Sequence, residues 1–375
     1  MPAREPGWWY SDQPAVLSDL LLPIGRIWGW AAARRLQRGK PYRSSLPVIC
    51  VGNFTAGGTG KTPLAIHIAR LLAELGERPA FLTRGYGGKA AGPRRVDPAL
   101  DTAGEVGDEP LLLARHAPVI VARERAKGAA LIEADAGLAP PSVIVMDDGL
   151  QNPGLAKDLV IAVVDGRRGL GNGRVIPAGP LRAGLDVQLK LADAVVVSRP
   201  RGGRADDRDI ARRLRDSFGG PVLEATIEAD GDAAELAGAR VLALAGIANP
   251  VRFYDLLGGL GADVVGRAGF ADHHTFREAD ARAVLADAVR LNARIVTTEK
   301  DWVRLVGLTG VLAELRERAT PVPIRVHLEP RDAGRLASLL EGMLIERGKR
   351  RAGSSYSPDG IKTAGDPSGA DRGSA

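Results

Sequence analysis

A mostly parallel α/β sheet covered on both faces, with a second, smaller α/β domain and an N-terminal membrane-interface helix, is the fold this sequence predicts. Three observations carry it. Short apolar runs alternate with helical patterns from residue 47 to 198, a second such series starts near residue 239, and a glycine-rich turn joins the first run to the first helix. Strands separated by helices build βαβ units, whose crossovers leave the strands parallel and cover both faces. The 375 residues are enough for two domains of roughly 150 residues. Apolar residues at 45% and charged residues at 26% allow each a core of its own.

The first element in order is the segment 15–30, where Val16, Leu17, Leu20, Leu21, Leu22, Ile24, Ile27, Trp28 and Trp30 are interrupted by Ser18, Asp19, Pro23 and Arg26. Trp8, Trp9 and Tyr10 precede it, and Arg34, Arg35, Arg38, Lys40 and Arg43 follow. An apolar helix with tryptophans and a basic flank suits a membrane interface; packing of the same face on the main domain is the competing reading. No apolar run reaches the ~18 to 20 residues of a membrane span, and no signal-peptide pattern opens the chain. The net charge of +6 fits an anionic partner, whether nucleotide, phospholipid surface or phosphorylated substrate. Cys50, the single cysteine, excludes an internal disulfide and a cysteine-based zinc site, and its apolar run makes it a buried strand residue.

Residues 47–51 read as the first strand, with a helix over 62–75 after the glycine turn and further strands at 78–83, 118–122, 142–146, 159–164 and 194–198. In the second series, strands at 241–245, 263–266, 294–298 and 323–326 enclose helices at 250–257 and 277–291. The turn at residues 52–63, GNFTAGGTGKTP, carries the clearest chemistry. Glycines let backbone N–H groups curl around phosphate oxygens, the helix start adds its dipole, Lys61 reaches the β- and γ-phosphates, and Thr62 offers its hydroxyl to Mg²⁺. Thr55, Ala56, Gly57, Gly58, Thr59, Gly60, Lys61 and Thr62 are therefore the expected nucleotide-binding residues. Thr55 stands where the strict pattern has glycine. A second carboxylate for the metal belongs at the end of a neighbouring strand, and residues 143–149, VIVMDDG, supply Asp147 first and Asp148 second. Two acids ending a buried strand call for a cation or donors.

The phosphate loop is followed by TRGYGG at 83–88, VGDEP at 106–110, DDGLQ at 147–151, PAGPLR at 177–182, ADHHTF at 271–276 and TEKD at 298–301. In identity and order these resemble the tetraacyldisaccharide 4'-kinase family from about residue 15 to about residue 340. The resemblance implies ATP and Mg²⁺, a P-loop domain joined to a smaller α/β domain with the catalytic cleft between them, and lipid A biosynthesis. The reaction implied is phosphorylation of the 4'-hydroxyl of a tetraacylated glucosamine disaccharide 1-phosphate at the cytoplasmic face of the inner membrane. Asn152 departs from the histidine usual in the family. The expected boundaries are 1–43 for the membrane-associating segment, 44–225 for the nucleotide-binding domain, 235–346 for the smaller domain and 347–375 for a disordered tail, with the joint within 216–232.

A sugar hydroxyl attacking a γ-phosphate needs a proton acceptor and surrounding cations. Asp108 is the expected base, with His273 sharing its charge and Asp272 orienting His273; by resemblance Asp108 and His273 match the family's catalytic pair. Lys61 joins them as a catalytic cation. Arg84, Tyr86, Gln151 and Arg182 are the expected substrate-binding residues, since arginine grips phosphate bidentately. Glu299, Lys300 and Asp301 are read as an ion-pair corner supporting the cleft. A P-loop switch or metallochaperone without a sugar acceptor, and a small-molecule kinase whose first helix packs on the core, remain the alternatives.

Overall fold

The apolar runs pair into two sheets in the computed structural model, which describes residues 5–11, 15–38, 40–137, 139–200, 207–231 and 233–354. In chain order the strands are β1 (Val48–Asn53), β2 (Pro79–Thr83), β3 (Arg94–Arg95), β4 (Val119–Val121), β5 (Val143–Asp147), β6 (Leu159–Asp165), β7 (Ala194–Pro200), β8 (Val222–Ala229), β9 (Arg240–Ala245), β10 (Asp263–Gly269), β11 (Arg294–Thr298), β12 (Ala319–Val322) and β13 (Ile324–Leu328). The helices are α1 (Val16–Gln37), α2 (Lys61–Glu74), α3 (Ala103–Val106), α4 (Asp108–Leu113), α5 (Arg125–Glu133), α6 (Leu185–Leu189), α7 (Asp207–Ser217), α8 (Pro250–Gly259), α9 (Glu278–Leu291), α10 (Glu299–Val303), α11 (Val311–Arg318) and α12 (Pro330–Ser354).

The larger sheet runs β13-β8-β7-β6-β1-β5-β2-β4-β3, parallel except at its two edges, and the smaller runs β10-β9-β11-β12, parallel throughout. β1 is central and buried along its whole length, as a strand covered on both faces must be. Ile49 and Val51 face the side covered by α2, while Val48 and Cys50 face the other. Cys50 is fully buried, and burial pushes its thiol up to about 11, so it packs as a small apolar residue. With β1 between β5 and β6, the ends of three neighbouring strands meet at one edge, the place where open α/β sheets hold ligands.

The expected boundaries need correction. The joint expected within 216–232 contains β8, whose Val222, Leu223 and Ala225 are buried in the larger sheet. The strand expected to end the smaller series, β13, pairs antiparallel with β8, Ile324 opposite Ala229 and Leu328 opposite Ala225. α12 follows it and adds Leu336, Leu340 and Met343 to the larger core. The smaller sheet is thus confined to residues 240–322, because alternation shows that a strand exists but not which sheet it joins. The helix also runs through Ser354, so 347–354 is not tail. Arg347 anchors this stretch, its guanidinium donating to the Leu46 carbonyl at 3.4 Å beside Asp158 at 3.7 Å. Residues 355–375 lie outside the described chain.

α1 docks by its small and polar side. Ser18 donates to the Ala178 carbonyl at 2.7 Å, Asp19 pairs with Arg174 at 2.6 Å, and a Cβ on Gly25 would come within 2.7 Å of the Val175 carbonyl oxygen. The apolar side is left outward: Val16 is 76% exposed, Leu20 69%, Ile27 68% and Trp30 62%. The packing alternative is therefore not the one adopted in the described chain. Among the described residues no helix is long and apolar enough to cross a membrane.

Candidate active site

The phosphate-loop half is built by β1, the turn after it and the start of α2. Gly57 and Gly60 both have φ of +92°, a left-handed conformation that side chains resist, and Gly60 caps the helix that Lys61 opens. Thr55 needs no such freedom. It is buried and bridged to Leu181, its carbonyl accepts from Arg182 Nε at 3.0 Å, and the Ala56 N–H donates to the Pro180 carbonyl at 2.8 Å. Thr55 and Ala56, both expected nucleotide contacts, tie the turn to residues 180–182.

Thr62 Oγ1 donates to Asp147 Oδ2 at 3.1 Å, and both groups are buried. Asp147 Oδ1 is buried without a hydrogen-bond partner. Burial, reinforced by the charge of Glu109 and opposed by Lys61, pushes the Asp147 carboxyl up to about 7. A hard divalent cation bonded by oxygen answers both features, so the pair fits Mg²⁺. Asp148, the second carboxylate expected for the metal, has a different setting. Its two oxygens take Arg182 Nη1 at 2.7 Å and Nη2 at 3.2 Å, with Lys61 at 4.0 Å. Burial opposes its charge, but Lys61 and Arg182 outweigh it and hold the carboxyl well below the usual range.

Arg182 also donates to Gln151 Oε1 at 3.2 Å, while Gln151 Nε2 donates to the Asn53 carbonyl at 2.8 Å and to Gln188 at 2.7 Å. Gln151 and Arg182, expected to bind substrate, brace the loop through these hydrogen bonds. Arg84 and Tyr86 are exposed, and the Tyr86 ring lies 5.0 Å from that of His273, on the open side of the second half of the site.

That second half is assembled across the two sheets. Gly107, at φ +95°, lets its chain pass the Tyr86 carbonyl (an added Cβ would meet that oxygen at 2.5 Å) and delivers Asp108 at the start of α4. Asp108 Oδ2 receives His273 Nδ1 at 3.0 Å and Arg304 Nε at 2.7 Å, and forms an ion pair with Arg304 Nη2 at 2.5 Å. Burial works against the Asp108 charge, yet Lys300, the His273 hydrogen bond and Arg304 together pull its pKa well below the ordinary carboxylate value. His273 Nε2 lies 3.5 Å from Lys300 Nζ and 3.6 Å from Asp272. Lys300 pairs with Glu109 at 3.1 Å; burial disfavours its charge, but Glu109, Asp108 and Asp272 keep it above the ordinary lysine range. His274 bonds Asp280 at 2.9 Å and takes no part.

Arg304 was not singled out from the sequence. It is buried, and its Nη1 donates to Asp301 and to the Gly246 carbonyl, each at 2.6 Å, so it ties β9, α10 and α4 together. The spacing Asp301 to Arg304, one helical turn after a strand, was the available signal. One cavity of about 860 Å³ is lined by Lys61 and Thr62 at one end and by Glu109, Asp272 and Lys300 at the other.

Over residues 17–344 the sequence matches the family described as tetraacyldisaccharide-1-P 4'-kinase. The chain belongs to this family. A relative from Methylobacterium sp. (strain 4-46), named tetraacyldisaccharide 4'-kinase, is 48% identical over 90% of this chain and 98% of its own. Another of the same name, from Rhodopseudomonas palustris (strain BisB18), is 48% identical over 94% of this chain and 100% of its own. In fold the chain is similar to the LpxK crystal structure from Aquifex aeolicus in complex with ATP, with a TM-score of 0.65 and 24% identity over 88% of this chain and 99% of that one. Family membership accounts for the α/β architecture and for a kinase using ATP with Mg²⁺.

Proposed function

We propose that this chain transfers the γ-phosphate of ATP to the 4'-hydroxyl of tetraacyldisaccharide 1-phosphate, a step of lipid A biosynthesis, with the two halves of the cavity dividing the work. The observation that carries this reading is the continuity of that cavity from Lys61 and Thr62 to Asp272 and Lys300. Thr62 and Asp147 would hold Mg²⁺, which when bound neutralises phosphate charge. Lys61 and Lys300 bring cationic charge to the transferring group from opposite sides.

The base assignment changes from the sequence-based one. Asp108 Oδ2 already takes His273 Nδ1 and Arg304 Nε, with Arg304 Nη2 paired beside it, and a carboxylate held so far down is a poor proton acceptor. Asp108 instead keeps the proton of His273 on Nδ1, which leaves Nε2 to take the proton of the sugar hydroxyl, the division of roles seen wherever a carboxylate orients a catalytic imidazole. A nucleotide switch with no acceptor gives the Asp108–His273–Lys300 assembly no work to do.

The outward apolar side of α1 seats the protein on the cytoplasmic face of the inner membrane, where the acylated substrate resides, and the basic residues after it meet anionic headgroups. Incubation with labelled ATP, Mg²⁺ and the lipid A disaccharide 1-phosphate tests the reaction; a bisphosphorylated product is expected, and nucleotide hydrolysis alone refutes the proposal. Flotation with anionic vesicles tests the seat. Ile27→Glu should lower partitioning roughly tenfold to a hundredfold, since burying such a side chain is worth about 1.5–3 kcal/mol; unchanged flotation would remove α1 from the membrane.

A further inference from the structure

The N-terminal segment places a carboxylate on the phosphate loop. The Glu5 side chain lies against Gly57 so closely that a Cβ there would meet Oε1 at 1.7 Å. Its Oε2 accepts from Arg168 Nη1 at 2.7 Å, Tyr10 hydrogen-bonds to the same carboxylate, and the Arg168 guanidinium lies 4.9 Å over the Tyr10 ring. Neither partner of the ion pair is loosely held, with 24% of the Arg168 side chain and 20% of Glu5 exposed.

Arg168 comes from the turn that follows β6, the neighbour of β1, where Asp165 Oδ1 accepts from the Arg167 backbone N–H at 2.9 Å and braces the bend. The segment carrying Glu5 is pinned at Trp9, whose indole donates to the Pro177 carbonyl at 3.1 Å and whose own carbonyl accepts from the Asn172 N–H at 2.8 Å. Both sides of the contact are therefore fixed to the body at the ligand edge of the sheet.

A phosphate loop attracts anions through its backbone N–H groups and the helix that follows. The helix start at Lys61 and Thr62 draws the inner phosphates, which leaves Gly57, three residues before Gly60, on the side of the terminal phosphate. The charge of Asp272, on the acceptor side of the cavity, also acts on Glu5. The carboxylate thus lies against the phosphate-loop turn at Gly57, held by an arginine and a phenol.

We propose that Arg168 and Tyr10 form a binding arm for the terminal phosphate of the nucleotide, and that Glu5 is the intramolecular anion filling this arm until that phosphate displaces it. This rests on the Mg-ATP reading above. Arginine suits both tenants, since carboxylate and phosphate present the same pair of oxygens to its fork. Because apparent affinity scales with the open fraction, a plug seated in about nine molecules of ten weakens ATP binding about tenfold.

The test is calorimetric titration of the full chain with Mg-ATP and with Mg-ADP, for wild type, Glu5→Gln, Glu5→Ala and Arg168→Gln. Both Glu5 variants should bind ATP more tightly, by roughly threefold to tenfold, with ADP nearly unchanged because it lacks the phosphate that competes. Arg168→Gln should weaken ATP about tenfold more than ADP. If the Glu5 variants leave the ATP Kd where it was, or move ATP and ADP together, the plug is refuted. Equal losses for the two nucleotides in Arg168→Gln reduce that residue to a structural brace and refute the arm. A wild type that binds neither nucleotide sinks the Mg-ATP reading itself, a result separable from the others.

Discussion

Thr62 and Lys300 line one cavity, and the two buried aspartates beside them, Asp147 and Asp108, are treated in opposite ways. Asp147 ends β5 with one oxygen on Thr62 and the other without a partner, and its carboxyl is pushed up to about 7. Asp108 opens α4 with Arg304, His273 and Lys300 around it, and its carboxyl is held down. Residue type and burial are the same, so the difference lies in the neighbours. A carboxylate left short of positive charge is waiting for a mobile cation, whereas one already compensated belongs to a fixed frame.

Asp108→Asn should break the frame and produce the largest effect. It removes the acceptor that sets the His273 tautomer, so turnover should fall roughly 10²–10⁴-fold while the Kd for Mg-ATP stays close to wild type. Normal turnover in that variant would end the distinction drawn between the two aspartates. Arg304→Met comes next. It strips Asp108 of its closest cation in a buried place, and chemical denaturation should show a loss of about 3 kcal/mol, the range for breaking a buried pair; a loss below about 1 kcal/mol would mean that Lys300 alone suffices.

Asp147→Asn gives the smallest effect and the opposite sign. A raised folded-state pKa means that the folded chain holds a proton which the unfolded chain releases above about pH 4, so Asp147 costs stability from there up to about pH 7, with the full cost above. In chelator at pH 8 the variant should therefore melt about 2–4 °C higher than wild type, although it has lost its Mg²⁺ ligand. Asp108 runs the other way: its contribution is full above about pH 4 and disappears on acidification below it. Asp147→Asn melting lower than wild type at pH 8 would show that the site is not short of charge.

Much of the nucleotide half was legible because its signals are local. An apolar strand, a glycine turn and Gly60-Lys61-Thr62 lie within one short stretch, and the strand ending in Asp147 announces itself by its own burial. The bracing was not legible. Asp148, Gln151 and Arg182 look equally fit for metal or substrate until their mutual hydrogen bonds are seen, since a polar side chain carries no record of its partner. Asp108 and His273 are 165 residues apart, and only the motif resemblance joined them. Arg304 and Arg168 look like ordinary surface arginines; both become distinctive only through the carboxylates that the fold brings to them.

The return of β13 to the larger sheet makes the smaller unit an insertion. Ala229 and Ile324 are opposite one another, and the Asp230 N–H donates to the Pro323 carbonyl at 2.8 Å, so the chain leaves and re-enters through adjoining strands. A tight hairpin joining those two positions could replace everything between them without unpairing a single strand of the larger sheet. The excised cassette would carry His273, Lys300 and Arg304 with it, and what remained would keep Lys61, Thr62 and Asp147: a nucleotide holder severed from its chemistry along a line that the chain itself draws.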